Sequence, residues 1–466
     1  MNAQFIDNSK TFNYVDLFAG CGGLSVGLES AGGNLVLAVE KSPMAAETFV
    51  RNLIEPSLTD ELWRDYSHSA LSKQLEKGLV IGDVVEVLKD LNVKKFFLGR
   101  SIDLVAGGPP CQGFSLAGRR NHDDARNKLP EEFLKYVNIL KPKMVIVENV
   151  LGMNLKFKSQ EENADSAFNQ VAMALEKSGE GYLVQRLHLN SSHYGAAQNR
   201  ERLFLVAISK KIANSAGITV TPHVWKSKYL DELEESSPDL APDPTCKKKD
   251  QVSVDIALAD LIGYAGSNSY LRKMKDHKFW RLTPQRKLKN HHERSHGDFA
   301  TIKFEIYIAL AKHGLSNIIL RDGLTEALNT KKQRELLKAK EILRFPILKT
   351  DGDLLARNFK EFETLAEKYK TLKRSQRVLL LRSVAPTVIT SPDDYIHPLE
   401  PRVLTVRELA RFQGFSDHFV FYSKETTGGL KRRTEVPQYS QVGNAVSPFV
   451  SRALGELVKS VLSRQY

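Results

Sequence analysis

Cys111 is the side chain of this sequence best placed for covalent chemistry. It lies in residues 107–115 (GGPPCQGFS), directly after the apolar run 102–106 (IDLVA). A cysteine is more often a small buried hydrophobe, and we expect that of Cys21, inside a glycine turn, and of Cys246, among lysines. A loop bounded by glycine and proline is a poor place for core packing. We therefore interpret Cys111 as a candidate nucleophile.

A carboxyl group and two guanidinium groups stand at the ends of later apolar runs. Glu148 comes directly after 144–147 (MVIV), and Arg200 and Arg202 lead into 203–208 (LFLVAI). Side chains two positions apart on a strand point to the same face, so both arginines should face one site, although ordinary surface ion pairing would also explain them. A nucleophile beside an acid indicates covalent catalysis on an electrophilic ring.

A glycine-rich turn and two later acidic residues predict a nucleoside site. Residues 16–23 (DLFAGCGG) follow the first apolar run, and glycines there let the backbone turn sharply and approach a ligand. Glu40 ends the second run and can accept hydrogen bonds from ribose hydroxyls. Asp83 ends the third run and could hold an adenine amino group. The spacing GxGG differs from the GxGxxG of dinucleotide folds, which disfavours an NAD-dependent oxidoreductase.

The apolar runs that carry these residues read as the strands of an α/β fold. They occupy 14–18, 35–39, 79–81, 102–106, 144–147 and 203–208, with helical spacing between several of them, as in 43–53 and 131–140. Strands followed by helices in series predict a doubly wound, mixed but mostly parallel sheet with helices on both faces. In such sheets ligands bind beyond the carboxyl ends of the strands, where most of the candidate residues lie.

The whole formal charge excess lies in one central block. The net charge of the 466 residues is +12, with 23 basic and 25 acidic residues in 1–208, 34 and 22 in 209–390, and 10 and 8 in 391–466. The densest patch, 271–294, holds nine basic and two acidic residues. Solvated helix faces would explain any one patch, but the imbalance between segments favours a polyanionic partner. Residues 222–250, rich in proline, serine and charge, are typical of a linker or surface loop.

The composition is that of a globular protein, with 42% hydrophobic and 26% charged residues. No apolar run approaches the roughly 18 residues that span a bilayer, and no secretory signal is expected at the start of the chain. Three cysteines are too few for a disulfide framework, which favours the cytoplasm. His291, His292 and His296 have no cysteine or carboxylate at ligand spacing, so no metal site is predicted.

Six motifs in a fixed order carry a family resemblance: DLFAGCGG, GGPPCQGFS, ENV, QNRERLFLVA, RELARFQGF and QVGNAV. The sequence resembles the single-chain DNA (cytosine-5) methyltransferases of bacterial restriction–modification systems over roughly 14–207 and 380–460. The resemblance implies S-adenosylmethionine as cofactor, double-stranded DNA as substrate, a monomer, and functional pairing with a restriction endonuclease. It implies a catalytic domain of residues 1–220, completed by 437–466, and a second, smaller target-recognition domain of 221–436.

Each matching position takes a role from the family. Cys111 would be the nucleophile, Glu148 and Arg202 would grip a cytosine flipped out of the duplex, and Arg200 would support them. The S-adenosylmethionine pocket would be lined by Phe18, Gly20, Gly22, Gly23, Glu40, Asp83, Val84, Pro109, Asn444 and Val446. DNA contacts are expected from the loop residues Gln112, Ser115, Arg119 and Arg120, and from Arg272, Lys275, Arg286, Lys287 and Arg294 in the basic block.

One position departs from the family, and two other functions stay open. Ala117 stands where some members carry a serine that helps fill the gap left by the flipped base. The tRNA-modifying branch of the family has a Cys-Phe-Thr segment in its recognition region, whereas the only cysteine of 209–390 is Cys246, followed by lysine. A non-catalytic DNA-binding regulator would not need Cys111, Glu148 and Arg202 together.

Overall fold

The computed structural model describes residues 11–109, 129–154, 166–263, 268–277, 279, 287–320, 335, 338–371, 373, 375–429, 431 and 434–464. Among these residues no helix has both the length and the apolar character needed to cross a bilayer.

The strands are short and fall mostly in the first half of the chain. They are β1 (Phe12–Leu17), β2 (Gly33–Glu40), β3 (Leu79–Ile81), β4 (Leu104–Gly107), β5 (Met144–Asn149), β6 (Tyr182–Asn190), β7 (Gln198–Asn199), β8 (Glu201–Ser209), β9 (Trp225–Lys226), β10 (Ile347–Leu348), β11 (Leu354–Ala356), β12 (Arg377–Val378), β13 (Ala385–Pro386) and β14 (Tyr395–Ile396).

The α-helices alternate with the early strands and dominate the later part of the chain. They are α1 (Gly23–Ser30), α2 (Pro43–Phe49), α3 (Asp60–Ser67), α4 (Leu71–Lys77), α5 (Val84–Lys89), α6 (Leu91–Phe97), α7 (Leu129–Leu140), α8 (Ala167–Lys177), α9 (Lys210–Ala216), α10 (Val254–Leu258), α11 (Ser269–Asp276), α12 (Asp298–Lys312), α13 (Phe359–Lys368), α14 (Val406–Gln413), α15 (Gln438–Asn444) and α16 (Pro448–Ser463).

Eight strands form one sheet in the order β3-β2-β1-β4-β5-β8-β6-β9. The five strands from β3 to β5 are parallel, and β8 runs antiparallel to both β5 and β6. The predicted mixed, mostly parallel sheet is confirmed, and every predicted run overlaps a strand. The connections after β1, β2, β3 and β4 meet at one edge of the sheet, as expected for parallel strands.

The last helix closes one face of this sheet against the first helix. Gly27 in α1 lets the two helices touch, because a Cβ there would lie 2.3 Å from Arg452 N and 2.6 Å from Pro448 O. Gly455 makes the reciprocal approach, with a Cβ 2.7 Å from Ala31 Cβ. The last helix is amphipathic, and its buried residues Leu454, Val458 and Val461 belong to the same core as those of α1.

Separate hydrophobic cores lie on the two faces of the sheet, and a further core lies away from it. The core under α16 includes residues from β1, β4 and β6, and also Leu240, Phe279 and Phe415. The segment 222–250, for which a linker or surface loop is predicted, has little regular structure and is mostly exposed, but Leu240 and Cys246 anchor it, being 0% and 1% exposed. The core away from the sheet is built mainly from α12, α13 and residues 315–356. The predicted domain division at 220 and 437 stays a prediction.

Candidate active site

The glycine-rich turn fixes the carboxylate that ends β2. Phe18, Gly20 and Gly22 have positive φ angles of 59°, 57° and 99°, so the chain reverses direction between β1 and α1. The turn brings the Gly20 N–H to Glu40 Oε2 at 2.8 Å, while the Ser42 N–H donates to Glu40 Oε1 at 2.7 Å. Burial raises the pKa of Glu40, and these amide hydrogen bonds counteract the rise. A carboxylate with two oriented donors keeps lone pairs for ribose hydroxyls.

Asp83 occupies the neighbouring strand end and caps the helix after it. Its Oδ1 accepts the Val85 N–H at 3.0 Å, and its Oδ2 pairs with Lys41 Nζ at 2.8 Å. Burial would raise the pKa of Asp83, but the hydrogen bonds from Lys41 and Val85 outweigh it, so the pKa is lowered. Asp83 therefore presents an ionised acceptor at the same sheet edge as Glu40. Val84 follows it, buried at the start of α5.

Two glycines of the turn, Gly22 and Gly23, also permit close packing. A Cβ on Gly22 would meet Leu53 Cδ1 at 2.7 Å, and a Cβ on Gly23 would meet the Val446 carbonyl oxygen at 2.3 Å. Gly23 thus brings the segment that follows α15 against the turn, with Asn444 exposed and Val446 half-buried beside it. The predicted cofactor residues from the two ends of the chain meet here. Gly20 differs from both, because nothing lies within 4 Å of where its Cβ would be.

Glu148 and Arg202 are ion-paired across two adjacent strands. Arg202 Nε lies 3.0 Å from Glu148 Oε1, and the two side chains are only 19% and 12% exposed. Gly108 is required beside them, because a Cβ there would lie 2.9 Å from Glu148 Oε2. Burial lowers the pKa of the Arg202 guanidinium, and the Glu148 charge counteracts this. The pair is therefore a preorganised hydrogen-bond acceptor and donor. It lies beside Gly108, three residues before Cys111 in the chain.

Asn149 links the strand end to the same segment. Its Nδ2 donates to the Pro109 carbonyl at 3.2 Å, and its Oδ1 accepts the Val150 N–H at 2.9 Å. The amide side chain is buried. The Pro109 backbone is thereby held next to Glu148, which positions the first residue of the candidate loop.

Arg200 is a buried link between the site and the end of the chain. Its Nη1 donates to the Val388 carbonyl and its Nη2 to the Gly443 carbonyl, each at 3.0 Å. Burial holds its pKa well below the ordinary value. Arg200 and Arg202 line one cleft together with Phe204 and Val446, as alternation along a strand predicts. Surface ion pairing does not describe Arg200, which bonds to backbone carbonyls in the interior.

A chain of glutamines, which sequence reasoning missed, connects three of the motifs. Gln198 Oε1 accepts the Val388 N–H at 2.8 Å, and Gln198 Nε2 donates to Gln413 Oε1. Gln413 Nε2 in turn donates to the Ala445 carbonyl. Both glutamines are fully buried. In the sequence, both glutamines stand in motifs next to apolar residues. That position is the only local indication that they are buried.

Asp16 is a second residue that the sequence did not single out. It is 1% exposed between β1 and α1, and its Oδ2 accepts a hydrogen bond from Ser25 Oγ at 2.6 Å. Its Oδ1 has no hydrogen-bond partner among the described residues. Burial raises the pKa of Asp16 to about 7, against the effect of Ser25. This carboxyl lies directly beneath the glycine turn.

The remaining candidates divide between exposed, paired and undescribed positions. Arg272, Lys275 and Lys287 are exposed, whereas Arg294 Nη1 pairs with Asp393 Oδ1 at 3.2 Å. Cys111, Gln112, Ser115, Ala117, Arg119, Arg120 and Arg286 lie outside the described residues. The roles predicted for all site residues stay predictions.

The other cysteines and histidines have structural surroundings. Cys21 and Cys246 are buried, as predicted. His291 Nδ1 lies 3.0 Å from Thr405 Oγ1, and His296 Nε2 accepts the Val403 N–H at 3.3 Å. No group of three or more potential metal ligands occurs in the described part of the chain. The histidines hold the segment before α14 in place.

Comparison with known proteins identifies the family. Residues 12–460 match the family described as C-5 cytosine-specific DNA methylase. The type II methyltransferase M.DdeI of Desulfomicrobium norvegicum is 30% identical over 450 residues, covering 96% of this chain and 88% of that protein. M.XorII of Xanthomonas oryzae pv. oryzae is 28% identical over 456 residues, covering 97% and 85%.

A solved structure agrees with the fold. It comes from E. coli and is assigned as a DNA modification methyltransferase encoded within a prophage; it is 24% identical, covers 97% of this chain and 99% of that one, and has a TM-score of 0.51. With the family match across nearly the whole chain, the conclusion is direct. The chain belongs to the C-5 cytosine-specific DNA methylases and is a DNA (cytosine-5)-methyltransferase.

Proposed function

We propose that this enzyme transfers the methyl group of S-adenosylmethionine to carbon 5 of a cytosine flipped out of a specific duplex sequence, through a covalent Cys111 adduct. The observation that carries the proposal is the Glu148–Arg202 pair, 3.0 Å apart and set against Gly108 at the entrance to the Cys111 segment. A buried acceptor and donor side by side suit the polar edge of a pyrimidine ring, which presents both kinds of group.

The residues at the sheet edge fit S-adenosylmethionine. Glu40 is oriented by two amide donors for the ribose, Asp83 offers an ionised acceptor for the adenine amino group, and Gly20 leaves open space between them. We propose the same pocket residues as the sequence predicts, with Phe18, Val84, Pro109, Asn444 and Val446 as its walls. When bound, S-adenosylmethionine supplies an electrophilic methyl group on a sulfonium.

The side chains of this enzyme then act on the base. Cys111, as thiolate, adds to C6, and Glu148, which must carry a proton when the base is bound, donates that proton to N3, so that C5 becomes an enamine carbon able to take the methyl group. A base removes the C5 proton, the C6–S bond breaks, and the N3 proton returns to Glu148. Arg202 fixes the Glu148 carboxyl, and Arg200 holds the Gly443 carbonyl and with it the Asn444 side of the cofactor pocket. Flipping the base costs a few kcal/mol, which contacts with DNA must offset.

The proposed context follows from the relatives. The curated relatives are type II methyltransferases, so we propose that this enzyme acts on its own recognition sequence in double-stranded DNA and protects that sequence from a partner restriction endonuclease. We propose that it works in the cytoplasm as a monomer. We also propose that residues 221–436 include the recognition domain, with the core around α12 and α13 as its separately packed part.

One experiment tests activity, substrate and site together. A random-sequence duplex library and an equivalent RNA library are incubated with enzyme and S-adenosylmethionine, then sequenced after bisulfite treatment. We expect 5-methylcytosine within one short motif in DNA only. Methylation confined to RNA would show that the tRNA-modifying function is correct, and no methylation of either library would contradict the proposal.

A second experiment tests the nucleophile. Cys111→Ser should abolish transfer but keep S-adenosylhomocysteine binding. Cys246→Ser serves as the matched control, because Cys246 is buried and its sulfur hydrogen-bonds to the Lys247 and Asp250 carbonyls. A duplex carrying 5-fluorocytosine in the motif should trap a covalent complex with the unaltered enzyme. Undiminished transfer by Cys111→Ser would rule out this assignment.

A further inference from the structure

We propose that Arg294, Lys303 and Lys373 form a seat for a backbone phosphate of the substrate DNA. Two of these three cations, here called the basic cluster, pair with the carboxylate of Asp393, and the third, Lys303, lies close enough for the charges of Lys373 and Asp393 to shift its pKa. Arg294 Nη1 lies 3.2 Å from Asp393 Oδ1, and Lys373 Nζ lies 3.4 Å from Asp393 Oδ2. The Asp393 backbone is held in turn, because Gln376 Nε2 donates to its carbonyl at 2.8 Å. The cluster is therefore a built arrangement rather than a set of loose surface lysines.

Lys303 differs from the other two cations of the cluster, because Arg294 and Lys373 each pair with Asp393 and Lys303 does not. It lies in the middle of α12 and is only 8% exposed. Within the described part of the chain it forms no ion pair, and its ammonium faces the ring of Phe304 at 5.5 Å. Burial lowers the pKa of Lys303, and the nearby charge of Lys373 lowers it further, against the attraction of Asp393. A partly desolvated ammonium without a paired anion is less stable than one in water, and an anion bound nearby would offset that loss.

The charge balance of the cluster favours an anionic ligand. The cluster holds three basic side chains and one carboxylate, whose two oxygens are already engaged by Arg294 and Lys373. His296 does not add to the balance, since burial and the neighbouring Arg294 lower its pKa. Lys373 is 52% exposed and Arg294 30% exposed. A ligand can therefore reach these two donors while Lys303 adds its charge from beneath.

The place of the cluster in the fold identifies the anion as a DNA phosphate. Asp393 comes five residues after Val388, whose carbonyl accepts a hydrogen bond from Arg200 in the candidate active site. Five residues span at most about 18 Å. Duplex DNA carries a phosphate charge every ~1.7 Å of its axis, so a duplex held at the site has roughly ten phosphates within that distance.

The test is the salt dependence of DNA binding, measured by fluorescence anisotropy with a labelled random-sequence duplex. Losing one phosphate contact lowers the slope of log affinity against log salt by about 0.9. Between about 50 and 200 mM salt, the affinity of the unaltered enzyme should therefore fall about 3.5-fold more than that of Lys373→Met. Lys303→Met should weaken binding in the same direction, and Asp393→Asn, which removes the carboxylate, should strengthen it.

The control variant is Lys312→Met. Lys312 is exposed at the end of the same helix, and nine residues from Lys303 place it about 14 Å away on the opposite side, so its slope should match that of the unaltered enzyme. A slope unchanged by both Lys303→Met and Lys373→Met, or weaker binding by Asp393→Asn, would overturn the proposal. Each variant's melting temperature accompanies the measurement, and that of Lys303→Met should not fall.

The proposed phosphate contact rests on the proposed function, because it takes DNA as the substrate. The experiment distinguishes an error in the phosphate contact from an error in the proposed function. The readout is binding, so it does not depend on methyl transfer or on Cys111. If the unaltered enzyme bound duplex DNA with no salt dependence, the DNA-directed function itself would be in doubt. If it bound normally and the cluster variants matched it, only the phosphate seat would be wrong.

Discussion

Replacing Gly27 by alanine sets two opposing effects on stability against each other. Gly27 lies in the middle of α1, where helix propensity alone favours alanine by roughly 0.5–1 kcal/mol. Its Cβ, however, would lie 2.0 Å from Ser451 Oγ, 2.3 Å from Arg452 N and 2.6 Å from Pro448 O. The serine hydroxyl can rotate away, but the other two atoms belong to the backbone of α16.

The size of the steric clash decides whether Gly27→Ala raises or lowers the free energy of unfolding. Ordinary carbon contacts begin at about 3.5 Å, so α16 would have to withdraw by about 1 Å. Overpacking costs about 1–3 kcal/mol where side chains can adjust, and a rigid helix on each side places this case at the upper end. The cost exceeds the propensity gain, so Gly27→Ala should lower the free energy of unfolding by about 2–3 kcal/mol. Because Val446 lies two residues before the start of α16, S-adenosylhomocysteine affinity should fall as well.

Urea unfolding and calorimetric S-adenosylhomocysteine binding measure both effects. The matched control is Gly428→Ala, since Gly428 is exposed and nothing lies within 4 Å of its Cβ position; such a surface change should stay within about 0.5 kcal/mol. If Gly27→Ala were as stable as the unaltered enzyme, or more stable, and bound the ligand equally well, the argument that close helix contact shapes the pocket would be refuted.

Three further variants test the site. Arg202→Lys should reduce single-turnover methyl transfer about 10- to 100-fold, because a hydrogen bond to a charged group is worth about 1.5–3 kcal/mol, while S-adenosylhomocysteine affinity stays constant; equal rates would contradict a role for the 3.0 Å Glu148 contact. Arg200→Met should lower the unfolding free energy and weaken S-adenosylhomocysteine binding, since two buried carbonyls would each lose a donor at about 1–3 kcal/mol; a purely local role would leave ligand binding unchanged. Asp16 has a folded-state pKa of about 7, above its ordinary 3.8, so its ionisation costs stability as pH rises from about 4 to 7, by up to about 4 kcal/mol. Asp16→Asn should remove this fall from urea-unfolding curves measured at acid and neutral pH, and identical pH profiles would count against it.

The sheet could be predicted because each buried strand leaves a local mark in the sequence. The run 79–81 coincides with β3, and the run 144–147 starts at the same residue as β5. These strands are covered on both faces, so nearly every residue in them is apolar. The strand β6 was missed because polar residues such as Gln185, Arg186 and His188 interrupt it.

For the site, the sequence predicts which residues stand at the ends of strands, but it does not predict the contacts between them. Glu148 and Arg202 were expected at one crevice, but their ion pair depends on the antiparallel register of β8 against β5, which no local pattern reports. The packing role of Gly23 depends on Val446, more than 400 residues away in the chain. The same limit applies to 222–250, because nothing local in this polar segment reports that Leu240 packs into the main core or that Cys246 is buried.

The contact between α1 and α16 also sets an order of events during synthesis. At roughly 5–20 residues per second, a ribosome that has just made Gly27 needs tens of seconds more to deliver Ser451. Until then the glycine-lined face of α1 has no cover, and the backbone that abuts the cofactor turn does not yet exist. If Val446 lines the cofactor pocket and 221–436 include the recognition domain, as we propose, the nascent chain cannot complete that pocket before the recognition domain has been translated. Cofactor binding and target choice would then become possible together.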